Sequence, residues 1–93
     1  MSSLVLYTCS CCGYKTKSTP YFGSYEICPV CFWEDDDSQV ENPDMAGCAN
    51  PISLRDAQRN FKKVGACEIA MLQHVVKDRS GYELDSKWKA LDE

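Results

Sequence analysis

Seven cysteines stand in a chain of 93 residues, and four of them fall into two pairs with one spacing. Cys9-Ser10-Cys11-Cys12 is the first pair and Cys28-Pro29-Val30-Cys31 the second, with residues 13–27 between them. C-x2-C-x15-C-x2-C lies within the spacing of a four-thiolate zinc site. Each CxxC turn sets two sulfurs on one side of a knuckle and leaves turn amides free to donate hydrogen bonds to them. Gly13 suits the point where the first knuckle folds back at positive φ, and Pro29 stiffens the second. The expected cofactor is one structural, tetrahedral zinc ion held by Cys9, Cys12, Cys28 and Cys31. With four thiolates no position stays open for a catalytic water.

A redox dithiol at Cys28-Pro29-Val30-Cys31 is the competing chemistry. It wants a helix starting at the first cysteine, and the acidic residues after Trp33 do not continue an apolar helix. Cys11 reads as a spectator beside the ligands, Cys48 as a free loop thiol and Cys67 as core. The single histidine, His74, has no partner in the sequence. The run Glu34-Asp35-Asp36-Asp37 lacks the alternating ligands and central glycine of an EF-hand and reads as an exposed acidic turn. No nucleophile–base pair and no phosphate-binding glycine loop is visible, so an enzyme is not expected.

The elements that must position the cysteines are short. Leu4–Thr8 has β character, Tyr14–Thr16 can form a strand, and Tyr25–Ile27 its return, so a hairpin brings the two knuckles together. Phe32 and Trp33 are expected to cover the metal site and join the helical part. Residues 38–52 read as a loop, with Asn42-Pro43-Asp44, Gly47 and Asn50-Pro51. Ser53 is an N-cap with Asp56 three residues on, and Leu54, Ala57, Phe61 and Val64 make one helical stripe. Lys62 and Lys63 suit the helix end, and Gly65 is the C′ residue. A second helix is expected from Cys67 to about Lys77, with Ile69, Leu72, Val75 and Val76 on one side. A third, shorter helix carries Leu84, Trp88 and Leu91.

The expected fold is therefore a small α+β domain over residues 1–93: a zinc-ribbon-like half at 1–37, a loop at 38–52, and a half of two or three helices at 53–93. A chain this short needs a staple, and metal supplies it. An odd number of cysteines excludes complete internal disulfide pairing. The N-terminal stretch lacks the basic and apolar regions of a secretory signal, so a reducing, cytoplasmic setting is expected. No apolar run approaches the roughly 18 residues of a membrane span.

Charge narrows the partners. The formal charge is −4, and four thiolates with one dication take it to about −6. Every charged residue from Glu26 to Asp44 is acidic. Nucleic acid is disfavoured, and a basic protein surface is favoured. The expected partner face is Trp33, Glu34, Asp35, Asp36, Asp37, Glu41 and Asp44. A nucleic-acid-binding ribbon would instead use Lys15, Lys17 and the basic residues of the Ser53–Val64 helix. The hairpin aromatics Tyr14, Tyr21, Phe22 and Tyr25 resemble a base-stacking set, but the adjacent acid opposes it.

The blocks Cys9-Ser10-Cys11-Cys12-Gly13-Tyr14-Lys15-Thr16, Tyr25 to Asp36, Asn42-Pro43-Asp44, Ala49-Asn50, Ser53-Leu54 and Asn60 to Cys67 resemble the bacterial cysteine-rich CPCC family. The family name reflects a proline where this chain has Ser10. The resemblance implies a small zinc-ribbon-like protein of the bacterial cytoplasm. By analogy with small proteins encoded beside toxin genes, it suggests immunity to a toxin, such as a nuclease with a cationic active site. A nucleic-acid-binding accessory protein and a thiol redox or metal-carrier protein are the alternatives.

Overall fold

The computed structural model describes residues 5–93. It is a small α+β fold built on two cysteine turns. Strand β1, Tyr7–Thr8, pairs antiparallel with β2, Lys15–Lys17, across the first turn, with a bulge between Tyr7 and Thr8. Of the expected strand Leu4–Thr8, Leu4 lies outside the described residues. The expected pairing of residues 14–16 with 25–27 does not form. Instead each cysteine turn closes its own small hairpin: β1 with β2 around the first, and an isolated bridge between Ile27 and Glu34 around the second.

The two turns have the same hydrogen bonds. Cys9 N donates to Tyr14 O and Gly13 N to Cys9 O; Cys28 N donates to Trp33 O and Phe32 N to Cys28 O. Each turn passes through positive φ at its fifth residue, Gly13 at 81° and Phe32 at 70°. Glycine makes that conformation easy in the first turn, whereas in the second a phenylalanine adopts it against its steric preference.

Residues 38–52 are not all loop. Helix α1, Asp37–Glu41, is capped by Asp36, whose carboxylate accepts from Ser38 N. Gln39 on α1 is fully buried. Its amide donates to the carbonyls of Met45, Asn50 and Ile52, and its oxygen accepts from the Asn50 backbone and side-chain amides. The Asn50 side chain in turn accepts from Glu34 N and donates to Glu34 O. Two amide side chains thus satisfy the backbone of a segment with almost no secondary structure of its own.

Helix α2, Leu54–Val64, begins and ends as its sequence dictates: Ser53 accepts from Asp56 N, and Gly65 closes it at φ 90°. Leu54 and Ala57 enter the core beside the cysteines, and Phe61 packs against it.

The two later helices are corrected. Only a 3-10 turn, Ile69–Met71, forms in the stretch from Cys67 to Lys77. The ends of this stretch are tied to the second cysteine turn, Cys67 N to Cys31 O and Val76 N to Pro29 O. A helix from 67 to 76 would be about 15 Å long, but Pro29 and Cys31 are at most about 7 Å apart. The segment must double back, which leaves Ile69 exposed. No helix forms around Leu84, Trp88 and Leu91 either. Leu84 bridges Tyr14, Lys15 N donates to Glu83 O, and Asp85 N donates to Gly13 O. The Asp85 carboxylate takes the Lys87 amide and the Thr8 hydroxyl, a local bond that competes with a helix.

Candidate metal centre

The equivalence of the two turns places four sulfurs at one point. The Sγ atoms of Cys9, Cys12, Cys28 and Cys31 all lie within 4.8 Å of one another, and all four residues are buried. Cys9 and Cys31 are 3.7 Å apart, as are Cys12 and Cys28. Each close contact joins one turn to the other. The seven cysteines form no disulfide, so the quartet is available to a metal ion.

The surroundings favour thiolate at Cys28. Cys28 Sγ accepts from the Thr16 hydroxyl at 3.2 Å and from Val30 N at 3.4 Å. Hydrogen bonds from Cys12, Cys31 and Cys9, with Thr16 adding to them, hold the Cys28 thiol well below the ordinary value. The shared bond with Cys28 raises Cys12, and burial raises Cys31 and Cys11. Donors aimed at a ligand sulfur from outside the quartet orient it and tune its basicity. Thr16, which the spacing argument did not single out, has this role. Its signal was its place on the strand leaving the first turn.

Cys11 takes the third position of its turn, where the second turn has Val30, and both side chains are buried. Cys11 is thus a core residue and lies outside the quartet. Cys67 is core as well, and burial pushes its thiol up to about 12. Cys48 is exposed, with its thiol 3.1 Å from the Met45 sulfur. His74 is exposed and stacks on Phe32, ring centroids 5.0 Å apart.

A family model described as Cysteine-rich CPCC matches residues 7–81. The chain belongs to the cysteine-rich CPCC family. Among curated proteins none matches this CPCC chain. Where the family name has proline, this CPCC protein has Ser10, whose hydroxyl is buried without a hydrogen-bond partner. Pro29 holds the corresponding position in the second turn.

The expected partner face is largely redistributed. Trp33, Asp35 and Asp36 are buried and serve the interior. Trp33 packs among the cysteines. Asp35 accepts from Gly23 N, Ser24 N and the Ser24 hydroxyl and pairs with Lys17 at 3.0 Å. Asp36 caps α1 and accepts from Ala49 N. The reason is common to both carboxylates: loop amides without sheet partners need acceptors, and adjacent aspartates supply them. Asp37, Glu41 and Asp44 are exposed and Glu34 is partly exposed, but Asp44 is paired with Arg55 at 2.7 Å.

Five of the ten basic residues are committed in the same way, while Lys62, Lys63, Lys77, Lys87 and Lys89 are exposed. Lys17 is buried, donates to Tyr21 O at 2.7 Å and lies over the Phe22 ring. Lys15 pairs with Glu83, and Arg55 and Arg59 both bind Asp92. Arg79 sits between the rings of Phe61 and Tyr14. No described helix is long and apolar enough to cross a membrane.

Proposed function

We propose that this CPCC protein is a non-catalytic zinc-binding interaction module of the bacterial cytoplasm. One zinc ion on Cys9, Cys12, Cys28 and Cys31 fixes a zinc-ribbon-like pair of knuckles, and the surface held by them binds another protein. The sulfur spacing carries the metal half of this reading. Four thiolates about 2.3 Å from a central zinc ion form a tetrahedron with edges of about 3.8 Å, and the two cross-turn contacts measure 3.7 Å. Soft thiolate ligands favour zinc over hard cations. When bound, the ion offsets half of the charge of four buried thiolates and cross-links the turns. Four ligands fill the coordination shell, which supports a structural rather than a catalytic ion.

Native mass spectrometry with elemental analysis of the purified protein tests this half. One zinc per chain is expected. Metal-free protein whose Cys28 and Cys31 oxidise readily would put a thiol redox function in its place.

The interaction half rests on charge. No salt bridge reaches Glu26, Glu34, Asp37 or Glu41 among the described residues; Glu26 and Asp37 accept only backbone amides, of Ser18 and Ser38, so the negative charge of all four is left without a cation. The narrower form of the reading is an immunity protein that binds and neutralises a bacterial toxin with a basic active face. Acidic surfaces raise association rates with such partners. Reversing Glu34, Asp37 and Glu41 to lysine should slow association and flatten its salt dependence while zinc is retained. Unchanged kinetics would reject the acidic face.

A further inference from the structure

Four large apolar side chains lie exposed within seven residues of the connection between the turns: Tyr21 at 60%, Phe22 at 46%, Tyr25 at 57% and Ile27 at 49%. Monomeric proteins rarely leave such a group together without a use. One of these residues is held outward against its own preference. Tyr25 has φ 60°, a conformation in which glycine or asparagine is at ease and tyrosine is not. It is fixed there by the bonds of Tyr25 N to Asp35 O and of Asp35 N to Glu26 O. Strain of this kind at an exposed ring points from geometry to function.

The solvent-exposed charges around this patch are acidic. Glu26 lies within it. Glu34 is the bridge partner of Ile27, so the two side chains share a face. Asp37 lies against Gly23, where a Cβ would stand 3.1 Å from its carboxylate carbon. The one cation at the patch, Lys17, is buried and paired with Asp35, and it already covers one face of the Phe22 ring at 4.4 Å. Elsewhere the exposed acids Asp44, Asp56, Glu83 and Asp92 have a cationic partner, whereas Glu41, Asp78 and Glu93 have none among the described residues.

Exposed rings rimmed by carboxylates that lack an ion-pair partner match one chemistry, a segment rich in arginine or lysine. The cation is drawn to the ring face and the carboxylate together. Phosphate would be repelled. We infer that Tyr21, Phe22, Tyr25 and Ile27, with Glu26, Glu34 and Asp37 at their edge, form the docking face for a cationic segment of a protein partner. The inference rests on the interaction-module reading and moves its contact surface from the acidic run itself to the residues 21–27 loop.

The test is a titration of zinc-loaded, ¹⁵N-labelled protein with two synthetic decapeptides, (Arg-Gly)5 and (Glu-Gly)5, followed by amide chemical shifts. Saturable shifts centred on residues 21–27 with the arginine peptide, and none with the glutamate peptide, are expected. Tyr25→Gly removes the ring and relieves its backbone. It should keep zinc and the melting temperature, or raise the latter, while weakening peptide binding about three- to fivefold. Glu26→Gln should weaken it by a similar factor and flatten its salt dependence.

Shifts centred on Glu41 and Asp44, absence of saturable binding, or wild-type affinity in Tyr25→Gly would each overturn the docking face. So would the same amides responding to a single-stranded oligonucleotide, or moving with protein concentration alone, which would assign the patch to nucleic acid or to a second copy. The zinc content of the same samples is read separately, so failure of the docking face leaves the metal centre standing.

Discussion

Phe32 holds in the second cysteine turn the place that Gly13 holds in the first. Both donate their amide to the carbonyl of the turn's leading cysteine, and both sit at positive φ. The positions differ in what lies above them. A Cβ on Gly13 would be 2.4 Å from the Trp88 ring, whereas the Phe32 ring packs against the core and stacks on His74. Two substitutions separate backbone strain from packing. At residue 32 both alanine and glycine lose the ring, but only alanine keeps the steric cost. Phe32→Gly should therefore be more stable than Phe32→Ala by about 1 kcal/mol, the reverse of the usual order. Gly13→Ala should cost more than about 2 kcal/mol, since strain and a clash combine. Chemical denaturation of the zinc-loaded variants checks both.

Serine substitution sorts the seven cysteines. Cys9→Ser, Cys12→Ser, Cys28→Ser and Cys31→Ser should each lose zinc and unfold the N-terminal half. The scale is that of structural zinc in small peptides, about 10–16 kcal/mol of binding free energy. Cys48→Ser should be almost silent. Cys11→Val, which copies the second turn, should retain one zinc per chain. Mass spectrometry and circular dichroism of the series read both effects, and zinc loss in Cys11→Val with retention in Cys9→Ser would overturn the ligand assignment.

Ser10 carries a buried, unpartnered hydroxyl at the position where the second turn has proline. Ser10→Pro removes the hydroxyl and restricts the unfolded chain. Stabilisation of about 1 kcal/mol is expected from the two effects, seen as a higher denaturation midpoint at unchanged zinc content. A lower midpoint would mean that the two turns differ in backbone at this position.

Asn50 and Gln39 tie the residues 42–52 loop to the second turn. Asn50→Ala strands both Glu34 backbone groups and removes one of the two donors to the Gln39 oxygen. The cost should be about 2–3 kcal/mol, since buried polar groups lose their partners. Hydrogen exchange should quicken at Glu34 and Ala49, while α2 keeps its protection. Uniform loss of protection would show one cooperative unit instead.

Asp92 binds Arg59 and Arg55. The Arg59 bond, with Arg55 second, holds its carboxyl below the ordinary value. A carboxyl depressed by folding stabilises above its unfolded pKa, and that contribution is lost as pH falls through the folded one. Because Asp92 is exposed, the effect on stability should be small and screened by salt. Arg59→Gln should move the Asp92 titration, followed by carboxyl ¹³C shifts, back toward the ordinary value. An unmoved titration would show that Arg59 does not bind it in solution.

The cysteine quartet was legible in the sequence because the spacing within each pair is local: a CxxC turn sets its two sulfurs within a few residues. The same holds for α2, whose cap at Ser53, apolar stripe and Gly65 stop all act within one or two turns of helix. The family was legible for the same reason. The rest depended on distant bonds. The stretch after Cys67 has helical periodicity, but its ends both dock on Pro29 and Cys31, and that closure forbids a straight helix. Leu84 and Trp88 have helical spacing, but the backbone around Leu84 is taken by the strand leaving the first turn. The charge of Asp35 and Asp36 suggested a surface, and only tertiary structure could bring Lys17, Ser24 and Ala49 to them and turn surface charge into interior scaffold. It also left Tyr25 facing outward. Burial of a charged side chain is decided by which partners long-range folding supplies, and local sequence does not encode that.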